Sequence, residues 1–329
     1  MNITSAHGGG GELTQELIRS IFLKHYGNEI LEQMEDAAVL SLPSDRIAFT
    51  TDSFVVSPLF FPGGDIGKLA VCGTVNDLLM RGATPLYLSV GFILQEGLAV
   101  ETLDRIVASM KKAADEANIK IVTGDTKVIE GDGGLFINTS GIGILQTAQK
   151  ISAQNAKPGD AVLINGELGD HHACILSGRL GFENEIRSDC APLSRMVEKL
   201  LESKLPLHTL RDVTRGGLAT VLHEIALSSG VQITVDDAVP LASPAVQGFC
   251  EILGLDPLYM ANEGKMVLIL PSDAAEEAVS VLRTCPYGAG ARIIGEVTQT
   301  DAPCAALKTR SGGVKRLSPL FGEGLPRIC

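Results

Sequence analysis

Short apolar runs alternate with stretches of helical period along nearly the whole chain, and that alternation admits few folds. A strand followed by a helix returns to the same sheet, so repeated alternation builds a layered α/β structure. In the first half the pattern predicts strands over 46–52, 86–94, 119–122 and 136–145, with helices over 66–80 and 101–117. An earlier one-sided helix carries Leu13, Leu17, Ile18, Ile21, Phe22 and His25 and stops at Tyr26-Gly27-Asn28. Asp65 is the predicted N-cap of the 66–80 helix, whose buried face holds Ile66, Leu69, Ala70, Gly73 and Met80, and Asn118 ends the 101–117 helix. The turn-rich Ala156-Lys157-Pro158-Gly159-Asp160 places a domain boundary near residue 150. Beyond it the pattern resumes, with strands over 161–165, 231–235, 266–270 and 291–297. Helices follow Gly169-Asp170-His171-His172 and recur near 193–202, 218–227, 244–253 and 274–283.

A chain of 329 residues exceeds one typical core, so the division expected is 1–150, 151–318 and a terminal tail, 319–329. The formal charge of −12 excludes a binder of nucleic-acid backbone, which needs a basic face. The start of the chain lacks the basic-then-apolar order of a signal peptide, and no apolar run is long enough to span a bilayer, so a cytoplasmic protein is expected. Seven widely spaced cysteines without a C-x-x-C pair exclude the usual zinc and thioredoxin patterns. Six of these read as small core residues. Cys329 differs by position: a thiol on the last residue, after Pro319, Gly322, Gly324 and Pro326, is either incidental to a frayed end or a carrier on an extended arm.

Four aspartates, Asp36, Asp52, Asp77 and Asp125, fall at or near the ends of successive predicted elements. Hard oxygen ligands gathered on one edge suit Mg²⁺, which commonly accompanies a phosphate substrate. Thr123-Gly124-Asp125-Thr126-Lys127 is predicted to lie just past a strand end, where α/β proteins gather ligands. The run His7-Gly8-Gly9-Gly10-Gly11 can turn backbone N–H groups toward an anion, or simply form a flexible leader. Arg211-Asp212-Val213-Thr214-Arg215-Gly216-Gly217 precedes a helix and can hold phosphate, or simply cap it. No P-loop occurs: Gly63-Gly64-Asp65-Ile66-Gly67-Lys68-Leu69 has the wrong glycine spacing and Leu69 where a hydroxyl is needed. Gly141-Ile142-Gly143 lacks the third glycine of a dinucleotide fingerprint. Adjacent His171 and His172 diverge on a helix and, even with Cys174, make a poor metal site.

Taken together, these motifs resemble the HypE family of hydrogenase-maturation carbamoyl dehydratases, within the PurM-like ATP-binding superfamily. The resemblance rests on His7 to Gly11, Asp36-Ala37-Ala38, Thr51-Asp52-Ser53, Phe61 to Lys68, Gly73 to Asp77, Gly124 to Lys127, Arg211 to Gly217, Asn262-Glu263-Gly264-Lys265 and Pro326-Arg327-Ile328-Cys329. Several of these are shared with selenophosphate synthetase and thiamine-monophosphate kinase, and the terminal cysteine motif selects HypE. Glu35 stands where relatives often carry a second Asp and is given no role. The resemblance implies a two-domain PurM-like α/β fold, with an N-terminal sheet domain that forms a homodimer and a C-terminal domain with a mixed sheet. It implies ATP and Mg²⁺ between the halves and near the dimer seam. Metal and phosphate would fall to Asp36, Asp52, Asp77 and Asp125, and nucleotide to Gly8, Gly9, Gly10, Gly11, Lys68, Asn76, Thr214, Arg215, Gly216 and Gly217. The chemistry would fall to Cys329, Lys127 and Glu263. HypF would place a carbamoyl group on Cys329, ATP-driven dehydration would make a thiocyanate, and the HypC–HypD complex would accept the cyanide. A small-molecule kinase or synthetase that ignores the tail, and a non-catalytic scaffold, are the competing readings.

Overall fold

The structure, a computed structural model, describes residues 2–9, 11–35 and 37–319. Gly10, Asp36 and Cys329 of the expected site lie outside the described residues. The chain opens with helix α1 (Glu12–Leu17), which runs through a π-helical stretch (Ile18–Leu23) into α2 (Lys24–Tyr26). Along it Leu17, Ile21, Phe22 and Tyr26 are buried, much of the one-sided pattern that the spacing predicts, while Leu13 of that pattern is exposed. Next come β1 (Ile47–Phe54), a small hairpin of β2 (Phe60–Phe61) and β3 (Gly64–Asp65), α3 (Ile66–Leu79), β4 (Thr84–Gln95), α4 (Val100–Glu116), β5 (Lys120–Ile129) and β6 (Leu135–Ile144). The long strands form one sheet in the order β1-β6-β4-β5, antiparallel except for β4 and β5. A parallel pair needs a crossover, and α4 supplies it.

Asp65 caps α3 as its position predicts, its carboxylate accepting from Gly67 N at 2.8 Å and Lys68 N at 3.1 Å. These are two of the donors a helix start leaves without partners. Asn118 stops the chain after α4 in the left-handed region, at φ 55°. Unlike the one-sided helix expected, α3 is buried on nearly every side, because the sheet, α4 and the C-terminal half all pack on it. Close approach is bought by glycine: a Cβ on Gly67 would stand 2.5 Å from the Ile106 carbonyl oxygen. Strand β5 also departs from expectation. It does not end at Val122 but continues through Thr123 to Lys127, so Asp125 and Lys127 are strand residues. Pairing with β4 outweighs the weak strand preference of Gly124 and Asp125.

The C-terminal half contains β7 (Asp160–Ile164), α5 (Asp170–Leu180), α6 (Ser194–Glu202), β8 (Thr209–Asp212), α7 (Gly217–Ser229), β9 (Gln232–Asp236), α8 (Pro244–Leu253), β10 (Met266–Pro271), α9 (Ala275–Arg283), β11 (Arg292–Thr298), β12 (Cys304–Lys308) and β13 (Val314–Leu317). Its sheet runs β13-β12-β9-β11-β7-β10-β8, mixed because β12 lies parallel to β9. Strands β8, β12 and β13 have no counterpart in the sequence pattern. One apolar core contains Leu69 and Val75 of α3 together with Met196, Val197 and Leu200 of α6, so the halves share packing. The segment 188–193 straps them: Ser188 N donates to Pro62 O at 2.8 Å, Asn76 Nδ2 to Ala191 O at 3.1 Å, and Leu193 N to Asn76 Oδ1 at 2.9 Å.

Candidate functional site

Alternation along β1 puts Thr50, Asp52 and Phe54 toward α3 and Phe49, Thr51 and Ser53 outward. A Cβ on Gly73 of α3 would stand 3.9 Å from Asp52 Oδ2, so that carboxylate lies against the helix. One turn further along α3, Asp77 Oδ2 accepts from Thr50 Oγ1 at 2.9 Å. Asp212, the last residue of β8, approaches from the other half. Burial first, then the charge of Asp212, with Asp52 adding, pushes the Asp77 carboxyl up to about 6 against the Thr50 bond. Burial also raises Asp212, with Asp52 contributing, although Arg211 opposes it. Thr50, Asp77, Arg81, Arg211 and Asp212 line a cleft of about 480 Å³ at this joint. Asp77 and Asp212 line this cleft and the charge of Asp52 raises both; carboxylates that repel one another suit a divalent cation whose shell other oxygens complete. Asp212 is absent from the residues expected from sequence; its signal was its place in the Arg211-to-Gly217 motif beside an edge strand that went unrecognised.

Glu263 is half-buried beside the same joint. Burial, and then the charges of Cys190, Asp189, Asp212 and Asp52, hold its carboxyl well above the ordinary range. Nearby, Gly216 and Gly217 adopt left-handed φ of 82° and 64°. A Cβ on Gly217 would meet the Leu258 carbonyl oxygen at 2.5 Å, so the turn requires glycine there. Gly217 N donates to Thr214 O at 3.0 Å, Arg215 is exposed, and no side chain caps α7. Two residues expected at the nucleotide already hold protein partners. Asn76 is buried and its amide is committed to the strap, while Lys68 Nζ donates to Gly63 O at 3.1 Å. His171 is buried and its Nδ1 bonds Ser188 Oγ at 2.8 Å, a structural use.

At the opposite edge of the sheet, on β5, Lys127 pairs with Asp125 at 2.8 Å, both exposed. The Lys127 hydrogen bond, partly offset by burial, holds the Asp125 carboxyl below its ordinary value. Beside them an apolar cleft of about 240 Å³, with Phe22, Tyr26, Leu31 and Phe92 among its walls, opens onto Asp125, Thr126 and the Ala37-Ala38 segment. Gly8 lies against this strand, where a Cβ would stand 2.9 Å from Val128 N. Register shows how far apart the two regions are. Asp52 pairs with Thr139, Thr139 with Val90, and Val90 with Gly124, so Asp52 and Asp125 stand three strand spacings apart, roughly 14 Å. They also project from opposite faces, since Asp125 aligns with outward-facing Gly91 and Asp52 with buried Thr139. A single chain thus unites Asp52, Asp77, Asp212 and Glu263 but separates them from Asp125 and Lys127. Among the described residues no three acidic, His or Cys side chains lie close enough to hold a metal unaided.

The profile of the AIR synthase related protein N-terminal domain matches residues 34–145, and that of its C-terminal domain matches residues 157–305. The chain is 46% identical to the carbamoyl dehydratase HypE of Rhodobacter capsulatus, over 99% of this chain and 98% of that protein. A crystal structure of the hydrogenase maturation protein HypE in complex with ATP superposes with a TM-score of 0.94 at 49% identity, covering 99% of each chain. HypE in a HypE–HypF complex superposes with a TM-score of 0.80 at 46% identity, covering 94% of this chain and 100% of that one.

Proposed function

Because the chain belongs to the HypE carbamoyl dehydratases, enzymes of the AIR synthase related family with its PurM-like fold, we propose that it uses ATP to convert a carboxamide on its own Cys329 into a thiocyanate. The cyanide so made would serve the iron centre of a [NiFe] hydrogenase. The observation that carries this reading is the acidic joint, where the mutually repelling Asp52, Asp77 and Asp212 stand beside Glu263, whose carboxyl burial and these charges hold well above the ordinary range.

A carboxamide oxygen is too poor a leaving group to depart as water. It therefore attacks the γ-phosphorus, the bond from that phosphorus to ADP breaks, and the resulting ester loses phosphate as the nitrogen gives up its protons. Carboxamide and ATP become thiocyanate, ADP and phosphate, the amide oxygen leaving in the phosphate. The adenine base suits the apolar cleft that opens onto Asp125 and Thr126, and the run that starts at Gly8, which lies beside β5, and ends at Gly11 would close over the phosphates. Mg²⁺ would be held by Asp52, Asp77 and Asp212, with Asp36 and Asp125, together with phosphate oxygens, and would neutralise charge developing there. Thr214, Arg215, Gly216 and Gly217 face phosphate from the second half. Lys127 stabilises the phosphorylated intermediate and Glu263 moves protons.

Assembly of that site calls for a second copy. The outward face of the N-terminal sheet exposes Ile47, Phe49, Ile93 and Ile129, an apolar face suited to a homodimer. Pairing two such faces would bring the β5 edge of one copy to the β1 edge of the other and unite Lys127 with Glu263. HypF is the proposed carbamoyl donor and HypC–HypD the cyanide acceptor, with the reaction in the cytoplasm; among the described residues no helix is long and apolar enough to cross a membrane.

The test is the intact mass after incubation with HypF, carbamoyl phosphate, Mg²⁺ and ATP. A gain of one CONH unit followed by loss of one water is expected, and Cys329→Ala shows neither. ATP turnover that persists unchanged in Cys329→Ala would replace this reading with a small-molecule kinase or synthetase.

A further inference from the structure

The strap that joins the two halves also fixes Glu263. Asp189 Oδ1 accepts from Glu263 N at 3.1 Å, Asp189 Oδ2 from Gly264 N at 3.1 Å, and the same oxygen pairs with Lys265 Nζ at 3.0 Å. Ala191 N donates to Glu263 O at 3.3 Å, so both main-chain polar groups of Glu263 are bound by the strap. The Asp189–Lys265 pair is almost fully buried, with side-chain exposures of 3% and 9%. Packing leaves no slack, because a Cβ on Gly264 would stand 2.0 Å from the Asp189 carbonyl oxygen. The strap is itself anchored at Pro62 through Ser188 and at Asn76, the neighbour of Asp77.

We propose that Asp189 is the positioning residue of Glu263: its carboxylate fixes the Glu263-Gly264 turn through two amide bonds, and Lys265 holds that carboxylate in place. This rests on the proton-transfer role given to Glu263 above. A charged hydrogen bond in a buried site is stronger than a neutral one, so two such bonds restrict the turn more than packing alone. The charge matters as well. Burial would raise Asp189, but Lys265, His171 and the Glu263 N–H together hold it below its ordinary value, so it stays ionised. From the strap, Asp189 and Cys190 face Glu263; from β8 and β1, Asp212 and Asp52 face it; Lys265 is the balancing cation. Asp189 therefore sets the place of Glu263 through these bonds and adds one of the charges that raise its carboxyl.

Opposite substitutions separate positioning from mere support. Asp189→Asn removes an anion and leaves Lys265 in excess, so the Glu263 carboxyl should titrate about one unit lower. Lys265→Met removes the cation and should move the same titration upward. Carbon-13 NMR of labelled glutamate in the unmodified full-length protein reads both, with the resonance assigned by its absence in Glu263→Gln. Single-turnover dehydration by Asp189→Asn, followed by intact mass at saturating ATP, should slow at least about tenfold at neutral pH with little change in half-saturation by ATP. Shifts of the same sign in both variants, or an unmoved titration, overturn the proposal. Should Asp189→Asn fail to fold, a Glu263 titration that fails to rise in Lys265→Met overturns it alone. Full dehydration by Glu263→Gln would remove the catalytic reading of Glu263, while the NMR titrations still decide the positioning.

Discussion

Replacing Asn76 by leucine asks which of two jobs that residue performs. Leucine has nearly the same size and shape, so packing against α3's neighbours is kept while both hydrogen bonds to the strap are lost. The bonds to Ala191 O and Leu193 N are 3.1 and 2.9 Å long, and the residue is 4% exposed, so neither orphaned group can reach water. An unpaired buried donor or acceptor costs about 1–3 kcal/mol, so two of them put the expected loss at roughly 2–6 kcal/mol. The assay is urea unfolding with calorimetric titration of Mg-ATP on the same samples. A lower midpoint with an unchanged slope is expected, and nucleotide affinity in the folded state should change far less than stability. If the midpoint stays put and nucleotide binding disappears, the strap argument is wrong and Asn76 is a ligand after all.

Lys127→Ala should change stability by less than about 1 kcal/mol, because its ion pair is exposed, yet should stall the protein at the carboxamide; thiocyanate in the mass spectrum would contradict this. Asp212→Asn should remove the cation-dependent part of nucleotide binding, measured by calorimetry with and without Mg²⁺. If that part persists, Asp212 has no place among the ligands. Gly63→Ala should destabilise by roughly 2 kcal/mol or more, since φ is 97° and the new Cβ would stand 2.5 Å from Ser188 O; an unchanged melting temperature would refute the strain. Burial pulls His171 down to about 4, so the folded state binds fewer protons than the unfolded chain between about pH 6.5 and 4. Stability is therefore lost as pH falls through that window, by at most about 3 kcal/mol, while Asp170, raised to about 6 by burial, acts in the opposite sense below pH 6. In His171→Gln the acid-side loss should shrink, and an identical pH–stability curve would exclude this residue as its source.

Local rules were enough for Asp65, whose side chain and neighbours define a cap, and for Asn118, whose type tolerates the left-handed turn. They failed for β5, because Gly124 and Asp125 look like loop residues until β4 is present to pair with them. Helical spacing put Ile66, Leu69, Ala70 and Gly73 on a buried face of α3, but could not tell that the second half covers Asn76 as well. Asp189 carries no local signal: it sits in an aperiodic stretch, and only its distant partner Lys265 explains it. Of the aspartates expected near element ends, Asp36 lies outside the described residues, and Asp52, Asp77 and Asp125 sit within β1, α3 and β5. Strand order then decides which meet within one chain, and Asp52 and Asp125 occupy opposite edges. The faces of β1 were not legible in its alternation, since Ile47 and Phe49 are exposed while Thr50 and Asp52 face α3, and neither was the presence of Asp212 across the joint.

The division of the site between the two edges of one sheet has a genetic consequence. In a mixed dimer of Lys127→Ala and Glu263→Gln chains, one site would collect both lesions and the other neither. Two inactive alleles expressed together would then restore hydrogenase maturation in part, whereas each alone would not. A site contained within a single chain would allow no such rescue, so strand order in a sheet would become visible as complementation between alleles.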